Sequence, residues 1–474
     1  MLAAKGVDFT GILCYNGRHM LNMLKRKEVC ALPIRLSDHF GYRRIFRFVM
    51  PSVLMMIFTS IYGVVDGFFV SNFVGKVPFA AVNFIMPFLM ILAAFGFMVG
   101  AGGTAVVSKT MGEGRSEDAK RYFSFLTCFV IVGGSVLAVL GIAFAEPICR
   151  LLGAEGELLS YCVLYGRIIL IALPAYMLQT MFQSFLITAE RPKLGLAVTV
   201  GAGVTNMVLD FLLVYVFSLG ITGAAIATAV SQAVGGFVPL LYFCRKRGRV
   251  LHLTKFAFYG RVLLKTCTNG CSELMSNISM SLVGILYNNR LLAMAGENGV
   301  AAYGVVMYVN FIFVAIFIGY SIGMAPVVGY HYGAEDRAEL KSLLKKSTLI
   351  VTVGGVILTA LAAALSYPAS MVFVGYDASL LQMTARGLLI SSLTFLFCGI
   401  GIFGSAFFTA LGNGAVSALI SFCRTMVFQA GGILLLSMLW GTNGIWFSIG
   451  VAEALAAVMT VCWVLAARKK YGYL

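Results

Sequence analysis

Long runs of apolar residues, separated by short segments rich in charge, glycine or proline, dominate this chain. Each run is long enough to cross the apolar core of a bilayer as a helix, which takes roughly 20 residues. None alternates polar and apolar positions in the manner of a membrane β-strand, so helices are the remaining way to span. The pattern predicts an all-α integral membrane protein with twelve transmembrane helices, near 45–71, 79–108, 122–145, 158–188, 193–217, 221–244, 266–292, 300–330, 343–366, 379–409, 414–438 and 442–466.

The two sets of six predicted helices repeat each other. A shift of 221 residues pairs Gly102 with Gly323 and Pro147 with Pro368, and many other glycines match at the same offset. Matching glycines and prolines indicate shared close contacts and kinks. Because six crossings return the chain to its starting side, the two lobes have the same orientation. We therefore expect a pseudo-two-fold axis along the membrane normal, with a cavity between the lobes, as in transporters.

The domain organisation follows from these repeats. We expect a basic cytoplasmic leader at 1–40, an N-terminal six-helix lobe at 41–247, a cytoplasmic inter-lobe linker at 248–265, and a C-terminal six-helix lobe with a short basic tail at 266–474.

Composition excludes an ordinary soluble protein and a nucleic-acid binder. The chain is 60% hydrophobic and 11% charged, whereas soluble proteins carry about 25% charged residues. Its net charge of +16 could suggest nucleic acid, but the Lys and Arg residues concentrate in alternate loops. That asymmetry predicts a multi-pass protein of the cytoplasmic (plasma) membrane with both termini in the cytoplasm.

Motifs for catalysis are missing from the sequence. The four His residues form no metal motif, the eleven Cys residues have no metal spacing, and no Walker A loop is present. Gly100–Gly103 lies inside an apolar run, where helix packing explains it. We therefore expect no enzyme activity, no cofactor beyond a coupling ion, and a monomer.

Ionisable groups inside the predicted helices are candidates for function, because each costs at least roughly 2.5–3.5 kcal/mol to insert. Asp66, Asp210 and Thr228 all fall roughly 7–11 Å below the outer boundary at 1.5 Å per residue. Asn206 lies one turn deeper than Asp210 on the same helix face. These four groups can coordinate Na⁺, or the two carboxylates can share a proton. The alternative is that each Asp only bonds locally and holds helices together.

The C-terminal lobe contributes a second set of polar groups. Glu273 and Asn277 belong to a polar cluster in the seventh helix, and could line a cavity or act as packing contacts. Glu453 pairs with Gln232 under the 221-residue shift, which suggests two asymmetric cavity walls. Arg424 could instead simply neutralise Glu453.

Several segments resemble the multidrug and toxic compound extrusion (MATE) family over roughly residues 45–466. They are Pro51, Val65–Val70, Gly75, Ala80–Asn83, Pro87, Gly100–Gly103, Met111–Gly114, Asn206–Asp210 and Gly223–Thr228. The resemblance implies two lobes that alternate between outward and inward states, and antiport of drugs against Na⁺ or H⁺. It also implies a cation site at Asp66, Asn206, Asp210 and Thr228.

Some members of that family add a helix-seven Glu, which Glu273 matches, and a helix-ten Asp, which has no counterpart at 379–409. The sequence therefore favours the N-terminal lobe for coupling.

The leading hypothesis is secondary active export of lipophilic, often cationic, drugs and toxins. The alternative is a flippase for a lipid-linked oligosaccharide or another lipid precursor, which would favour a strongly cationic cavity. The predominance of acids inside the predicted helices argues against the flippase.

Overall fold

Twelve helices form the fold in the computed structural model, which describes residues 34–245 and 249–473. In chain order they are α1 Tyr42–Val74, α2 Lys76–Gly112, α3 Ser116–Leu151, α4 Gly156–Thr188, α5 Pro192–Val216, α6 Gly220–Cys244, α7 260–295, α8 Asn298–Gly333, α9 Arg337–Val374, α10 Ala378–Ala410, α11 414–440 and α12 442–471. Ten helical stretches in this described part are long and apolar enough to cross a membrane, and one of them, Gly414–Tyr471, contains both α11 and α12. The more polar helix α7 is not among these ten stretches, and it brings the number of helices in the described part of the chain to twelve. The predicted all-α membrane fold is confirmed.

Several helices extend beyond their predicted bounds. α7 begins at residue 260 instead of 266, and α9 spans Arg337–Val374 instead of 343–366. The added turns carry charged residues such as Arg261 and Lys341. Hydrophobicity marks only the part of a helix inside the apolar core, so it misses turns that continue into water.

Glycines with positive φ separate helices at equivalent places in the two lobes. Gly75 (φ 109°) lies between α1 and α2, and Gly296 (φ 63°) between α7 and α8. Gly220 (φ 57°) begins α6, and Gly441 (φ 60°) separates α11 from α12. Glycine adopts this region without the steric penalty of a Cβ. Both pairs obey the 221-residue shift, so the two lobes share the same breaks.

The two lobes meet through glycines that allow backbones to touch. A Cβ at Gly112 would lie 2.0 Å from the Tyr330 carbonyl oxygen, and a Cβ at Gly333 would lie 2.1 Å from the Lys109 carbonyl oxygen. The 221-residue shift converts one contact into the other. Such a matched pair of contacts is what a pseudo-two-fold axis between α2 and α8 produces.

A second pair of contacts joins α2 to α7. A Cβ at Gly102 would lie 2.0 Å from the Thr266 carbonyl oxygen, and a Cβ at Gly270 would lie 1.9 Å from the Met98 carbonyl oxygen. Together with the α2–α8 contacts, these lie toward the end of the bundle that carries the α2–α3, α4–α5, α6–α7 and α8–α9 connections. We call it the basic end, because those connections hold most of the loop Lys and Arg residues. The lobes are thus in close contact at the basic end.

Residues 34–41, which precede α1, form a strap across both lobes at the basic end. The Leu36 N–H donates to Glu190 Oε1 in the N-terminal lobe at 2.8 Å. The Phe40 N–H donates to Glu339 Oε1 in the C-terminal lobe at 2.8 Å, and His39 Nδ1 lies 2.5 Å from Glu339 Oε2. Burial raises the pKa of Glu190, and the Leu36 N–H partly offsets this effect. Leu36 and Phe40 are fully buried, so the strap is packed as well as hydrogen-bonded.

Candidate functional site

Three helices of the N-terminal lobe bring the predicted cation ligands together. α1 carries Asp66, α5 carries Asn206 and Asp210, and α6 carries Thr228. α1 and α5 approach closely at Gly203, where a Cβ would lie 2.5 Å from the Phe58 ring. Without a hydrophobic drive between helices in lipid, such small residues decide which helices come together.

The four side chains form one cluster. Thr228 Oγ1 donates to Asp66 Oδ1 at 3.4 Å, and the Asp66 carboxylate also lies beside Asp210 and Asn206. Asp210 is 0% exposed and Asn206 is 2% exposed. Asp66 is only partly buried, so the cluster reaches the lobe surface through α1.

Several atoms of this cluster have no hydrogen-bond partner among the described residues. They are both carboxylate oxygens of Asp210 and both amide atoms of Asn206. Buried polar atoms are almost always paired, because leaving one unpaired costs about 1–3 kcal/mol. Two adjacent carboxylates also repel each other unless a proton or a cation lies between them. The cluster therefore has the donor set of a site for Na⁺ or for a shared proton.

Oxygen ligands suit a hard cation such as Na⁺. In residues 34–245 and 249–473, no group of three or more His, Cys, Asp and Glu side chains could hold a metal ion. The amide oxygen of Asn206 and the hydroxyl of Thr228 supply neutral ligands, which fits a monovalent ion better than a transition metal.

Tyrosines lie beside the two carboxylates, and their positions along the sequence do not predict this arrangement. Tyr165 on α4 lies beside Asp66, Asp210 and Thr228 and is 2% exposed. Tyr62, one turn before Asp66 on α1, interacts with both Asp66 and Tyr176. The i−4 spacing of Tyr62 could have been noticed. Nothing in the spacing indicates that Tyr165 approaches the site.

π-helical segments adjoin the intramembrane charges. Val70–Val74 follows Asp66 on α1, Phe211–Val216 follows Asp210 on α5, and Cys423–Phe428 contains Arg424 on α11. Such segments are rare and are often found at functional sites. Their location beside Asp66, Asp210 and Arg424 is a second indication that these positions have a functional role.

The predicted polar groups of the C-terminal lobe form a separate cluster. Arg424 Nε donates to both carboxylate oxygens of Glu453, at 2.8 and 2.9 Å. Glu453 is 2% exposed, so it is buried against Arg424. Glu273 interacts electrostatically with Arg424 from α7, and Asn277 Nδ2 donates to the Glu273 carbonyl oxygen at 2.8 Å.

Gln232 and Glu453 belong to different lobes. Gln232 is one turn beyond Thr228 on α6, in the N-terminal lobe, and its buried Oε1 has no partner among the described residues. Gln179 on α4 likewise has a buried, unpartnered Oε1. The structure extends the polar interior of the N-terminal lobe to these two amides, while Glu453 belongs to the other lobe.

Comparison with known proteins identifies relatives along nearly the whole chain. The MatE family model matches residues 51–212 and 273–433, one segment in each lobe. The chain is 24% identical over 431 residues to the multidrug export protein MepA of Staphylococcus saprophyticus, covering 89% of this chain and 91% of the relative. It is 22% identical over 431 residues to MepA of Staphylococcus aureus, covering 90% of this chain and 94% of the relative.

Solved structures share the fold. One is described as the outward-facing conformation of a multidrug resistance MATE family transporter of the MOP superfamily; it has a TM-score of 0.86 and 21% identity, over 91% of this chain and 96% of that one. Another is a MOP superfamily transporter from Pyrococcus furiosus, described as having a binding pocket of reverse polarity that suggests a different function. It has a TM-score of 0.82 and 22% identity, over 90% of this chain and 96% of that one.

Proposed function

The chain belongs to the MatE family, and we propose that it exports lipophilic, often cationic, drugs across the plasma membrane in exchange for Na⁺ or H⁺. The multidrug export assigned to the staphylococcal relatives supports the substrate class. The basic end would face the cytoplasm, in keeping with the positive-inside rule, with both termini on that side.

The observation that carries the coupling proposal is the pair of adjacent carboxylates of Asp66 and Asp210, with Asn206 and Thr228 beside them. A proton or Na⁺ bound there removes the repulsion between the carboxylates. The helices α1, α5 and α6 then pack differently than they do around an empty pair. The cation thus biases the lobe arrangement through its differential affinity for the two states.

Export follows if the two lobes alternate about the cavity between them. With the basic end closed, as the Gly112 and Gly102 contacts support, the cavity would open to the opposite side. A cation arriving from that side would occupy Asp66 and Asp210 while the drug leaves. Opening the basic end would then require the α2–α7 and α2–α8 contacts to separate.

The alternative of a lipid-precursor flippase is less well supported. A pyrophosphate group needs several free cationic side chains. Arg424 is engaged by Glu453 through its Nε, and Glu273 places a second carboxyl group near it. The excess of carboxyl groups over cationic side chains there favours organic cations over a pyrophosphate group.

The test is transport by purified protein in proteoliposomes, with Na⁺ and pH gradients imposed one at a time. We expect one of the two gradients to drive ethidium movement across the vesicle membrane. The Asp66→Asn variant should lose that dependence. Gradient-independent ethidium movement by the unaltered protein, or transbilayer movement of a fluorescent lipid-linked pyrophosphate instead, would reject the proposal.

A further inference from the structure

The segment 249–259, which joins the two lobes, is bonded to the N-terminal lobe although it leads into α7 of the other lobe. The Thr254 N–H donates to Ser124 Oγ on α3 at 2.8 Å. The Leu253 N–H donates to the Phe243 carbonyl oxygen on α6 at 2.9 Å. We call this segment the docked linker. Because its backbone is held on one side, it presents a defined surface on the other.

Two aromatic rings form much of the exposed surface of the docked linker. Phe256 is 61% exposed and Phe258 is 72% exposed. Both rings contact Phe125 of α3, with their centroids 6.1 and 5.4 Å from the centroid of the Phe125 ring. Phe125 itself is 2% exposed, so the two rings cover it and turn their other faces outward. Exposed Phe and Leu side chains beside basic residues are typical of segments that lie in the membrane interface.

The level of these rings along the bundle is that of the membrane boundary at the basic end. Arg121 is the last charged residue of α3 before its apolar run, and Phe125 follows it by one turn, roughly 6 Å further along the helix. Phe258 also packs against the first turn of α7, because a Cβ at Gly260 would lie 3.3 Å from its ring. The rings therefore lie where the apolar core meets the lipid headgroups.

Exposed cations accompany these rings. Lys255 comes directly before Phe256, and Arg261 and Lys265 lie one turn apart on one face of α7. Leu264, next to Lys265, is 66% exposed. Lys255, Arg261 and Lys265 form no ion pair within 4.0 Å with any residue that the structure describes. The surface thus combines apolar side chains with cations that lack an anionic partner there.

Acidic side chains do little to offset this charge. Residues 245–265 hold seven Lys and Arg residues and no Asp or Glu. Glu117 of α3 interacts electrostatically with His252 of the docked linker, but its carboxylate is paired with Lys120 Nζ at 2.7 Å. The docked linker and the start of α7 are therefore strongly basic as well as apolar.

We propose that the docked linker and the first turns of α7 form a binding site for an acidic phospholipid of the leaflet at the basic end. Arg261 and Lys265 bind the phosphate of the headgroup, and Lys255 adds attraction. Lys265 reaches back toward the headgroups, because side chains on a helix point toward its N-terminus and long basic side chains extend to the membrane surface. Phe258 and Leu264 contact the acyl chains.

The combination of rings and cations favours this partner over two simpler ones. A soluble phosphate would use the charges of Arg261 and Lys265 but would leave the Phe258 ring in water. A zwitterionic lipid would cover the ring but would bring its own cation to the site. An acidic phospholipid satisfies both, and each basic side chain near such a lipid contributes about 1 kcal/mol, or about fivefold in affinity.

This site goes beyond the proposed export and is separate from the coupling site. Asp66 and Asp210 lie within the N-terminal lobe, whereas the lipid binds at its surface, where the chain passes into α7. Lipid binding by protein in detergent, without any gradient or drug, therefore tests the proposal alone. A failure of coupling would leave that measurement intact.

The experiment is native mass spectrometry of the purified protein with phosphatidylglycerol and phosphatidylcholine that have identical acyl chains. We expect the unaltered protein to bind phosphatidylglycerol more tightly by about fivefold or more. Arg261→Gln with Lys265→Gln should remove this preference. Phe258→Ser should weaken the binding of both lipids by a similar factor, because the ring contacts the acyl chains and not the headgroup.

Lys341→Gln with Lys345→Gln is the matched control for the loss of two charges. These exposed lysines also lie one turn apart, near the start of α9 at the basic end. This variant should keep the preference for phosphatidylglycerol. Arg261→Lys with Lys265→Arg preserves both charges and should keep the preference as well, which separates a loss of charge from a disturbance of α7.

Three results would overturn the proposal. One is equal affinity of the unaltered protein for the two lipids. Another is an equal loss of preference in the α7 double Gln variant and in the α9 control, because the preference would then follow overall charge. The third is displacement of phosphatidylglycerol by an equal concentration of glycerol 3-phosphate, which would identify the site as one for a soluble phosphate.

Discussion

Asp66 and Asp210 are the residues on which the proposed coupling depends, and their surroundings explain why two acids lie inside an apolar lobe. Asp210 has no hydrogen-bond donor among the described residues, while Asp66 accepts one from Thr228. The pair can be stable only with a proton or a cation shared between them. The hydroxyl of Thr228 then serves either as a donor to the carboxylate or as a ligand to the ion.

Replacement of Thr228 tests this role at the scale of one hydroxyl. Thr228→Ala should weaken the apparent affinity for the coupling ion by about tenfold or more, because one hydrogen bond to a charged group contributes about 1.5–3 kcal/mol. Thr228→Ser keeps the hydroxyl and should remain within about twofold of the unaltered protein. The measurement is the ion concentration that gives half-maximal ethidium transport. Equal affinities in the Ala and Ser variants would contradict the role of the hydroxyl.

The sequence could predict that these four residues lie close together, because depth along a helix is simple arithmetic. Asp66, Asp210 and Thr228 share a depth, and Asn206 shares a face with Asp210. Tyr165 could not be predicted in this way, because its contact with Asp66 depends on how α4 rotates against α1. The sequence likewise left open whether Arg424 neutralises Glu453 or whether Glu453 lines a cavity. Spacing along a helix does not determine the direction of a side chain, so it could not decide between them.

At the scale of helices, glycine determines which helices meet and how closely. Gly102 lets α2 touch the α7 backbone, and Gly203 lets α5 reach α1. The number of helices was predictable because each forms an apolar run, and the internal repeat was predictable because glycines match at one offset. Helix ends and π-helical segments were not, because they depend on water-facing turns and on backbone hydrogen bonds that hydropathy does not report.

Alanine at Gly102 tests the inter-lobe contact. Its Cβ would lie 2.0 Å from the Thr266 carbonyl oxygen, so α2 and α7 would have to separate. We expect a loss of thermal stability in detergent, in line with about 1–3 kcal/mol for overpacking, and a clear loss of ethidium transport.

Gly133→Ala is the matched control, because a Cβ at Gly133 on α3 meets nothing within 4 Å. It should keep both stability and transport. If Gly102→Ala protein were as stable and active as this control, the lobes would not meet at Gly102 during transport.

Over the whole molecule, the pseudo-two-fold relation places equivalent glycines of both lobes at the basic end, where a strap also joins the two lobes. The strap at residues 34–41 is held by Glu190 of one lobe and by Glu339 of the other. Because the strap bonds to both lobes, separating the lobes at the basic end would have to break its contacts to Glu190 or to Glu339.

Glu339→Gln should loosen the strap. A glutamine offers one acceptor oxygen where Glu339 uses two, and the loss of one charged hydrogen bond is worth about 1.5–3 kcal/mol. Hydrogen–deuterium exchange at residues 34–41 should become faster by about tenfold or more. Glu335→Gln, at an exposed position in the same region, should leave exchange unchanged. Equal exchange in the two variants would show that Glu339 does not hold the basic end closed.

The most direct test of the central claim is the release of the coupling ion by purified protein when substrate is added. Proton release is followed with a pH dye in weak buffer, and Na⁺ release with radioactive Na⁺, for the unaltered protein and for Asp66→Asn and Asp210→Asn. The account predicts that ethidium displaces one of these ions from the unaltered protein and none from either variant, although both variants still bind ethidium. Undiminished ion release from both variants would contradict it.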